Sequence, residues 1–225
     1  MKLAEFREDA RHFGLSRALV RAGYFRVQRL AGIRVFRYVV LEPDGVNREL
    51  SSRHVPYDFR ILDADEIAGL VSEPDDENPI GRPRPGDVCY GILDGKTLAS
   101  VGWFASRPTT VYRTVLVSFD RRYVYRYGGY TARHYRGQNL HGIGLARAMD
   151  VFAGRGYAGI VSLADRVNFA ALSSCYRAGF RSCGTALVWQ LRGRAFIRQT
   201  GAAERYGLRL SALNESPAVR GSSRP

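Results

Sequence analysis

The spacing of hydrophobic residues divides the chain into a helical start, a strand-rich middle and a helix placed between two further strands. Apolar residues recur every three or four positions through residues 5–40, which predicts one or two helices there. Residues 41–57 contain Glu-Pro-Asp-Gly and predict turns and a connection. Alternating or continuous apolar runs predict strands at 58–62, 88–93, 97–105, 111–118, 123–131, 158–164 and 185–191.

The polar segments between these runs carry turn signals of different kinds. Asp94-Gly95 predicts a tight hairpin between the second and third strands. Gly128-Gly129, inside a predicted strand, indicates a bulge or a close backbone approach. Four prolines in 74–87 exclude regular structure, so we interpret that segment as a loop and a candidate lid on the acceptor side. Residues 63–71 predict a helix with acidic residues in its first turn.

The region that carries chemistry begins with the turn at 135–144, Tyr-Arg-Gly-Gln-Asn-Leu-His-Gly-Ile-Gly. It follows the strand at 123–131 and opens a helix whose apolar residues recur at helical spacing. A helix N-terminus has free backbone N–H groups and the positive end of the helix dipole, which suits a phosphate or pyrophosphate. The alternative is a tight turn whose glycines only allow the helix to pack on the strand.

A second segment, Asn168 to Phe180, bears on whether the turn at 135–144 binds a phosphate or is only a tight turn. Its sequence is Asn-Phe-Ala-Ala-Leu-Ser-Ser-Cys-Tyr-Arg-Ala-Gly-Phe. Asn168 can cap a short helix, Gly179 can adopt the left-handed conformation that ends one, and Phe180 can fold back on it. Together the two segments resemble the N-acetyltransferase (GNAT) superfamily, whose motifs are Arg/Gln-x-x-Gly-x-Gly/Ala and Asn-x-x-Ala-(x)n-Gly-Phe.

The resemblance covers roughly residues 58 to 195 and can be aligned in two registers. With Arg136 as the first motif residue, both later motifs fit without a gap, but Asn139 and His141 occupy the positions of small residues. The register Asn139-x-x-Gly142-x-Gly144 restores the glycines and shortens the helix. We adopt the first register, in which His141 would place an imidazole beside the phosphates.

The resemblance implies an acyl-CoA N-acyltransferase fold, an α/β fold with a mixed, mainly antiparallel sheet flanked by helices. It also implies acetyl-CoA or another acyl-CoA as the acyl donor. Asn168 would bond the pantetheine arm or, as the alternative, only cap its helix. Pantetheine and the thioester carbonyl would be held by the backbone around Tyr130 and Thr131, after a bulge that splays this strand from the next. The pyrophosphate would be held by Arg136, Gly137, Gln138, Asn139, Leu140, His141 and Gly142.

The catalytic residues are less clearly marked. The family's proton-donating tyrosine lies seven residues after the asparagine, and that position is Cys175, with Tyr176 one residue later. Seven residues return to nearly the same helix face and eight do not, so Cys175 shares the face of Asn168. We name Tyr176 and Cys175 as candidate acids and Asp165 as the candidate general base, with His134 as its substitute. As alternatives, Asp165 and His134 could be solvated loop residues, and Cys175 could be a small apolar residue of the core.

Charge adds a preference for anionic ligands. The chain has 34 basic and 21 acidic residues, a net charge of +13, and residues 96–200 contain sixteen basic and three acidic residues. Such a field attracts coenzyme A, an acidic acyl carrier protein, a nucleic acid or a lipid headgroup. The arginine-rich helices at 5–40 could bind an acidic partner or an anionic membrane, or could pack on their own domain with the arginines solvated. We do not expect nucleic acid to be the partner.

Composition places the protein in a reducing, soluble setting. The three cysteines lack metal-ligand spacing, so we expect free thiols and no metal site. No run of eighteen apolar residues exists and the N-terminus is too charged for a signal peptide, which predicts a cytoplasmic protein. We divide the chain into an N-terminal basic helical extension (1–57), an acyltransferase domain (58–200) and a mobile C-terminal tail (201–225).

Three functions remain open. The first is direct transfer of an acyl group, most simply acetyl, from acyl-CoA to an amine of a small molecule or peptide. The second uses long acyl chains from coenzyme A or from acyl carrier protein. The third is a catalytically degenerate fold that serves as a basic binding module, which Asn139, His141 and the displaced tyrosine favour.

Overall fold

The computed structural model describes residues 6, 7, 10, 11, 14–70, 84–111, 115–191 and 194–213. The helices that position the site are α1 (Leu15–Ala31), α2 (Arg48–Ser52), α3 (Ala64–Ala68), α4 (Leu140–Gly154) and α5 (Phe169–Ala178). The strands are β1 (Ile33–Leu41), β2 (Asp58–Leu62), β3 (Val88–Asp94), β4 (Thr97–Ala105), β5 (Thr109–Val111), β6 (Val115–Ser118), β7 (Tyr123–Thr131), β8 (Gly159–Asp165), β9 (Arg181–Leu191), β10 (Arg194–Thr200) and β11 (Arg209–Ala212).

Eight strands form the main sheet, in the order β10-β9-β1-β8-β7-β4-β3-β2. Every neighbouring pair is antiparallel except β7 and β8, which are parallel. The remaining strands form a small sheet, β11-β6-β5. The predicted fold class, a mixed and mainly antiparallel sheet flanked by helices, is therefore confirmed.

The N-terminal region differs from the prediction. Residues 15–31 form α1 as expected, but Gly32 ends the helix in a left-handed conformation and residues 33–41 form a strand, not a helix. This strand, β1, lies between β8 and β9 and pairs with both. Its composition explains the result, because Ile-Arg-Val-Phe-Arg-Tyr-Val-Val-Leu is dominated by β-branched and aromatic residues. The connection at 41–57 also contains the short helix α2, which Asn47 caps.

The predictions for residues 115–118 and for the C-terminal tail also need correction. Residues 115–118 do not continue the main sheet but pair with β5 and β11. Residues 209–212, assigned to a mobile tail, form β11, in which Leu210 is only 3% exposed. The apolar residues Leu208 and Leu210 stabilise this segment by burial against the main sheet. Residues 214–225 lie outside the described part of the chain.

Between residues 63 and 95 the structure can be compared with a predicted helix, a predicted loop and a predicted hairpin turn. The Asp94-Gly95 signal is confirmed, because Gly95 takes a positive φ of 59° in the turn between β3 and β4. Helix α3 starts in a capping box built by Asp63 and Glu66 but ends at Ala68, earlier than predicted. The candidate lid at 74–87 lies mostly outside the described residues, which resume at residue 84.

Helix α4 occupies the centre of one face of the main sheet. Its buried residues pack on β3, β4 and β8 and on α5, in one apolar cluster with Val39 and Leu41 of β1. Nearly all of its sides are buried, as expected for a helix covered by a sheet and two neighbouring helices. None of the helices in the described residues is long and apolar enough to span a membrane.

Candidate functional site

A cleft opens where β7 and β8 separate. The two strands pair from Tyr123 and Gly159 to Arg126 and Ser162, and no further. Beyond this point β7 continues to Thr131 and β8 to Asp165. The space between them measures about 370 Å³ and is lined by Val111, Tyr125, Arg126, Tyr127, Gly128, Gly129, Leu163, Ala164, Asp165, Asn168 and Ala171. We call the end at Arg126, where the two strands are still paired, the closed end of the cleft, and the end beyond the paired residues its wide end.

A bulge in β7 accompanies the separation. The register between β4 and β7 shifts between Gly102 and Trp103, so that Gly128 is the extra residue. Gly128 has a φ of 52°, a conformation that glycine adopts without a steric penalty. The bulge predicted from Gly128-Gly129 is confirmed, and it bends β7 at the position where its pairing with β8 has ended.

The turn before α4 ends with a left-handed asparagine. Asn139 has a φ of 59° and is the one non-glycine residue with a positive φ in the described segments. This conformation normally requires glycine, and asparagine is the next best residue. Asn139 thus meets the backbone requirement of the glycine that it replaces, which favours the register beginning at Arg136. The first-turn N–H groups of a helix have no acceptor within the helix. The Asn139 side chain makes no capping hydrogen bond, so it does not supply an acceptor for them either.

The residues that precede Asn139 are exposed and lie against the end of β7. Arg136 Nε donates a hydrogen bond to the carbonyl oxygen of Thr131 over 3.2 Å. Gln138 Oε1 accepts one from the hydroxyl of Tyr57 over 3.1 Å. Gly137 has a φ of 85° and open space around its Cα. The turn therefore presents its backbone to solvent beside the wide end of the cleft.

The imidazole of His141 does not point toward the turn. Its Nε2 lies 2.7 Å from a guanidinium nitrogen of Arg126, and its Nδ1 is hydrogen-bonded to the hydroxyl of Tyr90. Because a guanidinium can only donate, Nε2 accepts and Nδ1 carries the proton. Removal from water and the positive charge of Arg126 both hold the pKa of His141 well below its ordinary value, so the ring is neutral. The expectation that this imidazole lies beside the phosphates is wrong, and only the backbone of His141 remains available there.

The hydrogen bonds continue from Tyr90 to the end of β7. The Tyr90 hydroxyl lies 3.5 Å from Ser100 Oγ. Ser100 donates to the carbonyl oxygen of Tyr130 over 3.1 Å and lies 3.0 Å from the hydroxyl of Thr131. Burial raises the pKa of Tyr90, so its proton stays in place near neutral pH. These hydrogen bonds hold the backbone carbonyl of Tyr130 and the side chain of Thr131, the two residues that the family resemblance implies for pantetheine.

Asp165 lies at the end of β8 on the wall of the cleft. Its carboxylate accepts hydrogen bonds from the Tyr24 hydroxyl over 3.3 Å and from the Val167 N–H over 3.1 Å. Partial burial raises the pKa of this carboxyl above its usual range, and raises that of Tyr24 to about 12. A carboxylate of raised basicity suits the predicted role of general base. Tyr24 comes from α1, so sequence patterns alone did not connect it with the site.

Asn168 caps α5 and also lines the cleft. Its Oδ1 accepts a hydrogen bond from the Ala171 N–H over 3.2 Å, which is the predicted cap. At the other end Gly179 has a φ of 108° and Phe180 donates back to the carbonyl of Cys175, which confirms the predicted termination. The capping alternative for Asn168 is therefore realised, and a bond from its amide nitrogen to pantetheine stays a prediction.

Neither candidate acid lies on the cleft. Cys175 has no exposed surface and packs in the apolar cluster under α4, and burial raises the pKa of its thiol. Tyr176 is 45% exposed, and neither residue belongs to the set that lines the cleft in the described chain. Eight helical residues from Asn168 turn the Tyr176 side chain to another face, as its spacing indicates. The geometry therefore gives no support to either residue as the proton donor.

Arg126 and Tyr90 are the site residues that sequence reasoning missed. Arg126 lies inside an apolar strand and Tyr90 in the middle of β3, and both resemble ordinary sheet residues. Arg126 is only 6% exposed although it is charged. The available signal was an arginine at an inward-facing position two residues before a double glycine.

Comparisons with known proteins identify similar folds. No family model matches the sequence, and no curated protein matches it. A GNAT-family protein from Novosphingobium aromaticivorans matches 70% of the chain at 13% identity and a TM-score of 0.48. A GNAT-family acetyltransferase from Colwellia psychrerythraea matches 76% at 16% identity and a TM-score of 0.48. An N-acetyltransferase-like protein from Streptococcus suis matches 80% of the chain and 69% of its own length, at 14% identity and a TM-score of 0.47.

The chain covers 63% and 62% of the first two proteins, less than two thirds of each.

Proposed function

We propose that the protein is an N-acyltransferase that takes an acyl group from acyl-CoA, with acetyl-CoA as the simplest donor, and transfers it to an amine. The observation that carries this proposal is the position of the turn at 136–142 beside the wide end of the cleft. The hydrogen bond from Arg136 to the carbonyl oxygen of Thr131 joins the turn to the end of β7. An anion-binding helix terminus and a slot between two separated strands together fit a ligand with a pyrophosphate and a long, narrow arm.

The chain offers a place for each part of this ligand. The backbone N–H groups of 137–142 and the dipole of α4 would hold the pyrophosphate, and Arg136 would add charge. The backbone of Tyr130 and Thr131 would hold the pantetheine arm, and Ser100 fixes it through the Tyr130 carbonyl and the Thr131 hydroxyl. Coenzyme A supplies the acyl group as an activated thioester. No side chain needs to move to leave the turn accessible, because Gly137 and Gln138 are already exposed.

The transfer requires an uncharged amine beside the thioester. The amine nitrogen forms a bond to the acyl carbon, the carbon–sulfur bond breaks, and the proton lost by the amine is balanced by the one that the thiolate gains. Asp165 is the residue proposed to accept the amine proton, because it lines the cleft and its pKa is raised. Since Cys175 is buried and Tyr176 lies elsewhere, we assign the protonation of the thiolate to solvent.

The binding test uses calorimetry with coenzyme A. Gly137→Asp places a negative charge beside the pyrophosphate and should weaken binding about tenfold or more, which corresponds to about 1.4 kcal/mol. Gly137→Asn is the matched control, because it imposes nearly the same backbone strain without the charge. Arg136→Ala should have a smaller effect than Gly137→Asp, since backbone groups make most of the contacts. Equal affinities of wild type and Gly137→Asp for coenzyme A would remove the assignment of this turn.

A second observation favours a macromolecular partner for α1. This helix exposes Leu15, Leu19, Val20, Val27 and Leu30, whose exposed fractions lie between 52% and 87%. Between α1 and the ends of β1 and β9 runs a groove of about 530 Å³ lined by Arg21, Arg29 and Arg34 among others. Exposed apolar residues beside arginines fit an acidic protein surface such as acyl carrier protein, or an anionic membrane. Binding of acyl carrier protein that Leu19→Ser and Val27→Ser do not weaken would contradict a role for α1.

The alternative of a basic binding module depends on the same calorimetry. If coenzyme A does not bind, the excess of basic residues within 96–200 would favour another anion as the ligand. The long-chain acyl alternative is disfavoured by the closed end of the cleft, where the guanidinium of Arg126 would meet the end of an apolar chain.

A further inference from the structure

A buried guanidinium stands at the closed end of the cleft. Arg126 is the last residue of β7 that pairs with β8, and its carbonyl accepts a hydrogen bond from Ser162 Oγ over 2.9 Å. The residue is 6% exposed and lines the cleft. One guanidinium nitrogen donates to His141, while Nε is buried and has no hydrogen-bond partner in the described structure. A buried guanidinium that makes so few hydrogen bonds is unusual, because its five N–H donors lose their water.

No carboxylate of the described residues forms an ion pair with Arg126. The three acidic residues within 96–200 all bond to other groups. Asp120 pairs with Arg122 over 2.9 Å, Asp150 pairs with Arg48 over 2.6 Å, and Asp165 accepts from Tyr24 and Val167. The positive charge is also not relieved by His141, which is neutral and itself disfavoured as a cation by Arg126.

The guanidinium lies level with the bulge, not at the bottom of the sheet. A Cβ atom on Gly129 would overlap a terminal nitrogen of Arg126 and Cε1 of His141. The absence of a side chain at Gly129 thus makes room for the charge one residue beyond the bulge. In the proposed binding mode the thioester is held beside Tyr130, the next residue along β7. The charged group is consequently where an acyl chain would end.

We propose that Arg126 binds a carboxylate of the ligand in this cleft, and that the acyl donor is a short dicarboxylic acyl-CoA of the malonyl or succinyl class. The inference rests on the proposed function and specifies its substrate. A planar guanidinium pairs with a carboxylate through two parallel N–H···O bonds, which would satisfy the Nε donor and compensate the charge. An acetyl group offers neither an anion nor an acceptor at this position. The same carboxylate chemistry could come instead from an amino-acid acceptor, and the experiment separates these two sources.

The experiment compares coenzyme A, acetyl-CoA and succinyl-CoA by calorimetry on three proteins. These are the wild type, Arg126→Met, which keeps an unbranched side chain and removes the guanidinium, and Arg133→Met, an exposed arginine just after β7 as the matched control. We expect the wild type and Arg133→Met to bind succinyl-CoA at least about tenfold more tightly than acetyl-CoA. Arg126→Met should lose that preference and keep its affinity for coenzyme A. If Arg126→Met does not fold, Arg126→Lys decides, and it should keep the charge but lose most of the preference.

A parallel thermal-shift measurement identifies the source of the carboxylate. In the presence of acetyl-CoA, L-alanine and L-alaninamide differ only in the carboxylate. A shift with L-alanine alone, lost in Arg126→Met, together with equal binding of the two thioesters, would assign the carboxylate to the acceptor and overturn the donor assignment.

The failure of the proposed function has its own result. If coenzyme A and both thioesters do not bind while succinate stabilises the wild type and not Arg126→Met, the carboxylate site stands without the acyltransferase. Equal binding of the two thioesters, with no Arg126-dependent effect of L-alanine or succinate, would overturn the inference.

Discussion

The two halves of the main sheet are built in different ways. In the half formed by β2, β3, β4 and β7, consecutive strands of the sheet lie next to one another, apart from the excursion to β5 and β6. In the half formed by β8, β1, β9 and β10, the earliest strand is inserted between two of the latest. A parallel ladder of four residue pairs joins the halves. The candidate site lies where this short connection ends, so its shape depends on how each half is held.

The two halves share one hydrophobic core, which predicts that they fold as one unit. Val39 and Leu41 of β1 share an apolar cluster with Tyr90 and Phe104 of the other half, and α4 packs on both. A change in either half should therefore be felt in both. Three variants, taken from the largest expected effect to the smallest, test this expectation.

The largest effect is expected from Val39→Asp. Val39 is fully buried in β1, and an unpaired carboxylate there should destabilise the fold by several kcal/mol, a large share of the stability of an ordinary domain. The two tryptophans report the halves separately, since Trp103 lies in β4 and Trp189 in β9. In single-tryptophan versions both fluorescence signals should change at the same denaturant concentration.

The control for this variant is Arg198→Asp, at an exposed position in β10, which should have a minor effect. If the Trp103 signal of Val39→Asp kept its wild-type midpoint while the Trp189 signal lost it, the halves would be independent units.

A smaller effect, with a defined pH dependence, is expected from His141. Its folded-state pKa is below the ordinary value of 6.5, so below about pH 6.5 the unfolded chain binds a proton that the folded chain does not. The free energy of unfolding should therefore fall with decreasing pH, by at most about 1.4 kcal/mol per pH unit from this residue. His141→Gln should remove this part of the slope.

The exposed His134 provides the matched control, because His134→Gln removes an imidazole that is not buried. The raised pKa of Asp165 acts in the opposite direction and is common to all three proteins, so the difference between slopes isolates His141. Identical slopes for wild type and His141→Gln between pH 5 and pH 7 would contradict a neutral, buried imidazole.

The smallest effect is expected at the surface between α2 and α4. Arg48 and Asp150 form an ion pair over 2.6 Å, but their side chains are 65% and 41% exposed. Asp150→Asn should lower the free energy of unfolding by less than about 1 kcal/mol, and less still in high salt. A loss much greater than this, measured by urea unfolding, would show that the α2–α4 contact holds the halves together through charge and not through its apolar residues.

The difference between the halves also explains which predictions were correct. The hairpin at Gly95, the bulge at Gly128 and the ends of α5 depend on a few neighbouring residues, whose backbone preferences are visible in the sequence. The position of β1 depends on pairing with strands from the far end of the chain, for which no local pattern exists. The arginines in Ile33–Leu41 continued the spacing of α1, and Gly32 was not recognised as the end of that helix.

The same reasoning applies to the site. The left-handed backbone of Asn139 is a local property and agrees with the motif that was predicted around it. The inward orientation of His141 requires Tyr90 from β3 and Arg126 from β7, and only the assembled sheet brings these residues to α4. The buried charge of Arg126 at the closed end of the cleft could therefore not be predicted from the sequence, because it depends on contacts between distant segments.

The insertion of β1 between β8 and β9 also has a consequence for how the protein is made. During synthesis β1 is complete long before either of its partners leaves the ribosome, and non-local pairing of this kind slows folding. Until then β1, with its buried residues Phe36, Tyr38, Val39, Val40 and Leu41, has two unpaired edges and an apolar surface. The nascent chain should therefore depend on chaperones during this interval, and the sheet can close only when β9 has been translated.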